Sequence, residues 1–166
     1  LVHPFSTRKS LEMVSIPSLL DGLDDSERQR SDVEVVVICL LACGKGKDLD
    51  EAISVVRRQL AFYGSTPAYQ TVLEVHGWED VHLRLNSLSK QGRWDDMADL
   101  ITDEMLETIA LVGSPESVAQ QVINKAWGLA DTVSIECSRR PDPNHFVHVV
   151  EAIAHIQSAL STPASD

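Results

Sequence analysis

The sequence predicts an α/β fold, with about three parallel strands and many helices in 166 residues. Three observations carry that expectation. Residues 32–44, DVEVVVICLLACG, form a β-branched, nearly continuous apolar run closed by glycine. Such a run fits a parallel strand buried on both faces. Residues 131–137, DTVSIEC, alternate, with Val133, Ile135 and Cys137 on one side and Thr132, Ser134 and Glu136 on the other. Between and around them lie capped segments with helical apolar spacing, so strands alternate with helices.

The elements follow in order. LVHPF at the start reads as the end of a buried strand. Residues 10–28 are helix-like through Leu11, Val14, Leu19, Leu20 and Leu23, and Pro17 is expected to kink that helix or shift its start. After the long apolar strand, Asp48 is expected to cap a helix, with Glu51 as capping-box partner. Leu49, Ile53, Val56 and Leu60 form its stripe, and Gly64 ends it. Thr66-Pro67 reads as a new N-cap and first-turn proline. Short helices follow around Val72 and Leu73, around Val81, Leu85 and Leu88, and around Trp94, Met97, Leu100 and Ile101. Gly92 is a C-terminal signal. Ser114, Pro115 and Glu116 open a helix whose face is Val118, Val122, Ile123, Ala126 and Trp127, and Gly128 ends it. A last helix is expected from an Asn144 cap, with Phe146, Val149, Val150, Ile153 and Ile156 apolar. The expected organisation is one domain over residues 1–160 and a disordered tail at 161–166.

Composition limits the function. The apolar share is 43% and the net charge is −11, with 14 basic residues in no long cluster. A phosphate backbone would be repelled, so nucleic acid is not an expected partner. No apolar run approaches the roughly 18 residues of a membrane span, so no membrane partner is expected either. The three cysteines, Cys39, Cys43 and Cys137, are odd in number and widely split. They read as buried thiols in a reducing, cytoplasmic setting rather than a disulfide framework or a zinc site.

Few residues suggest chemistry. CGKGKD, residues 43–48, follows a strand and precedes a helix but lacks the phosphate-loop spacing. A plain strand-to-helix turn is the favoured reading. His148, Glu151 and His155 share a helix face at a spacing that metal-binding helices use, yet read better as solvated. No metal site is expected. His3 and Phe5 lie just past the first strand end, and Glu136 ends another. Carboxyl ends of strands hold the sites of β/α barrels; packing for Phe5 and solvation for Glu136 are the plainer alternatives. Lys90 and Arg93 suit an anionic substrate or a basic surface turn. No Ser-His-Asp or Cys-His set assembles from spacing.

RRQLAFYGSTPAYQTVLEVHGW (57–78), LNSLSKQGRWDDMADLITDEML (85–106) and VGSPESVAQQV (112–122) closely resemble the C-terminal half of luciferase-like monooxygenase family proteins, most of all the deazaflavin-dependent oxidoreductase branch. The resemblance covers nearly the whole chain. It implies the C-terminal portion of a (β/α)8 TIM barrel, with LVHPF, the 32–44 run and DTVSIEC as the sixth, seventh and eighth strands. It implies a cofactor, the deazaflavin coenzyme F-420 or FMN, at the carboxyl strand ends, and hydride transfer to or from an unknown small-molecule substrate. By the same resemblance much of the cofactor site lies in a half not represented in these residues. The chain is then expected to be inactive alone, and to act with a missing N-terminal half or as a homo-oligomer. Phe62, Tyr63 and Tyr69 would belong to the excursion that roofs the pocket. The pocket residues so implied are His3, Phe5, Tyr63, Tyr69, Arg93 and Glu136. Two alternatives stay open: a non-catalytic or association-dependent remnant, and a flavin-dependent monooxygenase of the same family.

Overall fold

The computed structural model describes residues 2–137 and 147–154. Four parallel strands form its sheet: β1 (Val2–His3), β2 (Val36–Cys43), β3 (Leu111–Gly113) and β4 (Thr132–Glu136). β2 is the hub. It pairs in parallel with β1 at Val36 and Val37, with β4 from Val36 to Leu40, and with β3 from Leu41 to Cys43. The two long strands are therefore parallel neighbours, as the β/α order requires. β3 was not expected from the sequence, because three residues ahead of a helix cap carry too little periodicity to register.

The apolar run of β2 is buried on both faces because each face meets a different layer. Val37, Cys39, Leu41 and Cys43 pack with Leu11, Leu111, Val118, Val122 and Val149. Leu40 and Ala42 pack with Phe5 and with Val56, Leu60, Leu73, Leu85, Met97 and Met105. The first layer comes from the helices that flank the sheet: a helical run after β1, α8 (Pro115–Ala126) and a helix at 147–154. The second comes from the long excursion between β2 and β3. It holds α3 (Lys47–Gly64), α4 (Gln70–Glu74), α5 (Glu79–Lys90), α6 (Trp94–Ala98) and α7 (Asp103–Ile109).

Local chemistry moves several boundaries. The first helical run starts at Thr7 rather than Ser10, because Thr7 and Ser10 make a reciprocal capping box. It continues as α1 (Arg8–Ser10), a π-helical turn at Leu11–Ser15 and α2 (Ile16–Asp25). The wider turn ends immediately before the Ile16-Pro17 start, where proline lacks a donor, so the chain absorbs Pro17 without breaking. Asp48 does not cap α3. Gly46, at φ +52°, holds the cap position, and Asp48 and Asp50 lie in the first turn, where the positive helix end favours them. Gly64 does end α3, for a packing reason. A Cβ there would stand 2.9 Å from Leu85 Cδ1 and 3.6 Å from Phe5 Cζ. Ser114 caps α8 as expected, accepting from the Ser117 amide at 3.4 Å.

Cys39 and Cys43 are buried and free, but Cys137 is only half-buried. It lies just past β4, which pairs with β2 alone among the described strands. The last helix shows Val149 buried and Val150 exposed. Its expected Asn144 cap, Phe146 and Ile156, and the 161–166 tail, lie outside the described residues. No described helix is long and apolar enough to cross a membrane.

Candidate functional site

All strands of a parallel sheet point the same way, so their carboxyl ends share one edge, where β/α proteins place ligands. Here that edge is built by residues 4–7 after β1, the end of β2, and Glu136 at the end of β4. The excursion helices lie over it.

Phe5 is fully buried and anchors an aromatic cluster. Its ring centroid is 5.6 Å from Tyr69 and 6.3 Å from Tyr63, and the two tyrosines meet edge-on at 5.6 Å. The missing side chain of Gly64 lets the end of α3 pack closely on Leu85 of α5, with Phe5 beside it. The series continues outward from Tyr63 to Phe62 at 5.8 Å and from Phe62 to Trp94 at 6.3 Å, and both outer rings are about half exposed. Flat apolar side chains at a strand-end pocket keep water from a reacting centre.

A polar bridge stands beside the rings. Gln59 Nε2 donates to Glu136 Oε1 at 3.1 Å and to the Tyr63 hydroxyl at 3.3 Å. Glu136 is matched in register with Leu40, a member of the aromatic cluster's core, so it belongs to the same face of the sheet. Thr132 and Ser134 continue that face of β4 and are exposed.

Thr7 ties the β1 end to the excursion. Its Oγ1 accepts from the Ser10 amide at 3.0 Å and lies 2.8 Å from His76 Nε2. His76 stacks on Trp78 at 4.5 Å, nearly coplanar. Burial, then the charge of Lys9, push the His76 pKa below its ordinary value, with Glu104 opposing. A neutral imidazole therefore receives or gives the Thr7 bond. Buried His82 holds the Gly64 carbonyl at 2.8 Å through Nδ1. Between Phe5 and Thr7, the Ser6 hydroxyl is buried without a partner, the one such side-chain atom among the described residues. A buried polar atom left unmet costs about 1–3 kcal/mol.

Of the six residues expected at a pocket, the structure brings Phe5, Tyr63 and Tyr69 into ring contact and joins Glu136 to them through Gln59. The backbone of His3 ends β1 opposite Val37. Arg93 is elsewhere: its Nε pairs with Asp96 at 2.7 Å on the exposed α5–α6 surface, and Lys90 ends α5 nearby. Gln59, His76 and Ser6 were not singled out from sequence. Gln59 and Tyr63 are one helical turn apart, a spacing that places them on one face of α3. His76 and Ser6 carry no pattern of their own.

The CGKGKD turn does not read as a phosphate cradle. Gly44 donates its amide to the Gly113 carbonyl at 3.2 Å, and the first turn of α3 is occupied by its own Asp48 and Asp50. No group of three metal-ligating side chains occurs among the described residues. His148 and Glu151 are exposed, and His155 lies outside the described residues.

Comparison with known proteins identifies the chain's relatives. Residues 6–132 match the family model described as luciferase-like monooxygenase. An uncharacterized protein of Mycobacterium tuberculosis is 46% identical over 134 residues, covering 80% of this chain and 39% of the relative. The 5,10-methylenetetrahydromethanopterin reductase of Archaeoglobus fulgidus is 31% identical over 108 residues, covering 61% of this chain and 31% of the relative. The structure of the coenzyme F420 dependent tetrahydromethanopterin reductase from Methanopyrus kandleri superposes with a TM-score of 0.69 at 21% identity, over 93% of this chain and 44% of that one. At that identity the likeness establishes the fold, a part of a TIM barrel. The chain thus spans less than half the length of these proteins.

Proposed function

The chain belongs to the luciferase-like monooxygenase family, and from that premise we propose that it forms the C-terminal wall and roof of a pocket in which a reduced deazaflavin, coenzyme F420, exchanges hydride with a small organic substrate. The observation that carries this reading is the arrangement at the carboxyl strand ends. Three packed rings from β1's end and the excursion stand beside a bridged glutamine and glutamate. The Archaeoglobus and Methanopyrus relatives, by their names, are reductases, and the latter is coenzyme F420 dependent, which favours deazaflavin over FMN.

The residues present fit one part of such a coenzyme. The aromatic walls and the Glu136 carboxylate suit a flat, hydrogen-bonding ring. Arg93 is paired with Asp96 on the exposed surface, and we propose that a phosphate tail is held by another part of the protein. When bound, the coenzyme supplies the hydride. This chain's residues exclude water through Phe5, Tyr63 and Tyr69, and orient polar edges through Gln59 and Glu136. Hydride transfer tolerates little misplacement, about a hundredfold in rate for ~1 Å. We therefore propose that catalysis needs an N-terminal half, in the same chain or a second one, and that the 166 residues alone do not turn over substrate.

The test is a fluorescence titration of the chain completed with an N-terminal half, using coenzyme F420 and FMN in parallel. Preferential binding of F420 supports the reading. Preferential binding of FMN converts it to the flavin monooxygenase alternative. Binding of neither refutes it in favour of a non-catalytic remnant.

A further inference from the structure

The bridge between α3 and β4 has a donor on one side and an acceptor on the other. Gln59 gives its amide hydrogens to Glu136 Oε1 and to the Tyr63 hydroxyl oxygen. Each partner keeps one group in hand. Tyr63 has received a hydrogen bond on oxygen and retains its own proton to donate. Glu136 has one oxygen engaged and retains Oε2 as a charged acceptor. Because both are bonded to one nitrogen, the Tyr63 hydroxyl and Glu136 Oε1 lie within roughly 6 Å of each other, and Oε2 belongs to the same carboxylate. Both residues are half-buried, so each group needs a partner when a ligand displaces water.

We propose that Tyr63 and Glu136, held by Gln59, recognise the lactam edge of a flat nitrogen heterocycle: the carbonyl accepts from Tyr63 and the adjacent ring N–H donates to Glu136. The alternatives fit less well. A carboxylate ligand would be repelled by the Glu136 carboxylate. A hydrocarbon would leave Glu136 Oε2 and the Tyr63 proton without a partner as it displaced water. A primary amine would satisfy Glu136 but leave the Tyr63 proton unmet, and it has no flat face for the Phe5 and Tyr69 rings. A metal ion lacks companion ligands among the described residues. A lactam ring answers every feature at once.

This inference rests on the carboxyl strand ends being the ligand pocket. The lactam edge can belong to the coenzyme's own imide ring or to a separate substrate ring, and the two sources are separable. In the completed protein, lumiflavin is compared with its imide-N-methyl derivative, and lumazine, a bicyclic lactam unable to serve as the coenzyme, with its N-methyl derivatives. Fluorescence titration gives the affinity ratio for each pair, with Tyr63→Phe and Glu136→Gln measured beside the unaltered protein. Tyr63→Phe keeps the packed ring, and thermal unfolding confirms that each variant folds. The expected result is a preference of about tenfold or more for the N–H form of one pair, falling towards one in Glu136→Gln, whereas Tyr63→Phe, which removes the bond to the carbonyl that both forms carry, weakens both forms several-fold and leaves their ratio in place. The pair that shows the preference identifies the source. A ratio near one for both pairs in the unaltered protein overturns the proposal, as does a ratio that Glu136→Gln leaves unchanged or a Tyr63→Phe variant that binds both forms as tightly as the unaltered protein. If F420 binds while both ratios are near one, only this inference falls. If neither F420, FMN nor any ring binds, the pocket reading falls with it.

Discussion

The two faces of β2 are treated differently along their length. On the face of Val37, Cys39, Leu41 and Cys43, every residue is buried beneath α8, Leu11 and the helix at 147–154. On the other face, Leu40 and Ala42 are buried beneath the excursion, whereas Val36 and Ile38 are only half-buried. Their register partners on β4, Thr132 and Ser134, are exposed. The excursion thus covers only the carboxyl half of the inner face. That half carries the aromatic cluster and Glu136, and it owes its packing to this chain alone. The amino half is apolar on β2 and hydroxylic on β4, and nothing in the described structure closes over it.

The largest expected effect follows from that contrast. Leu40→Ala removes a fully buried side chain at the centre of the inner core and is expected to destabilise the chain by about 2–5 kcal/mol. Ile38→Ala, two residues earlier on the same face, is expected to cost clearly less, since Ile38 is only partly buried and the space left behind opens to water. Urea unfolding of both variants measures the gap. Equal costs would mean that the amino half of the inner face is as well packed as the carboxyl half.

Lys125 sharpens the account of the outer layer. Its ammonium is buried and donates to the Ile109 carbonyl at 2.6 Å, and burial pushes its pKa below the ordinary 10.5, opposed by Cys39. Between the folded pKa and 10.5 the unfolded chain binds more protons than the folded one, so this group's contribution makes stability rise with pH across that window. Below the folded pKa the penalty is present in full. Lys125→Met should flatten the rise, as read by unfolding at a series of alkaline pH values. A slope unchanged by the substitution would show that the amine is hydrated in solution.

The smallest effect is one of order rather than stability. Burial raises the pKa of all three thiols, and for Cys43 the neighbouring Cys137 and Glu116 add to it. Only Cys137 is partly open to solvent. Alkylation of the native protein, followed by mass spectrometry, should label Cys137 before Cys39. Labelling of Cys39 first would mean that the outer layer opens more readily than the β4 end.

Long-range periodicity made the two long strands readable before the structure: β2 as an unbroken apolar run, β4 as an alternation. The cap of α8 was readable because Ser114, Pro115 and Glu116 each satisfy a separate local requirement. β3 escaped because it is three residues long and held by pairing to β2, which no local pattern announces. The cap of α3 was misread because Asp48 suits both a cap and a first turn, and the positive φ of Gly46 decides between them. The ring cluster was half visible. Its tyrosines crowd one turn, but their partner Phe5 comes from the other end of the chain. The Gln59–Glu136 contact spans 77 residues and depends on how α3 crosses β4, so spacing alone could not assemble it.

The central claim is that these residues form one wall of a coenzyme pocket whose other wall lies elsewhere. Fluorescence titration of coenzyme F420 against the isolated 166-residue chain, beside the chain completed with an N-terminal half, tests it most directly. The account predicts no measurable binding to the isolated chain and saturable binding to the completed one. Tight binding by the isolated chain, or none by the completed protein, would contradict it.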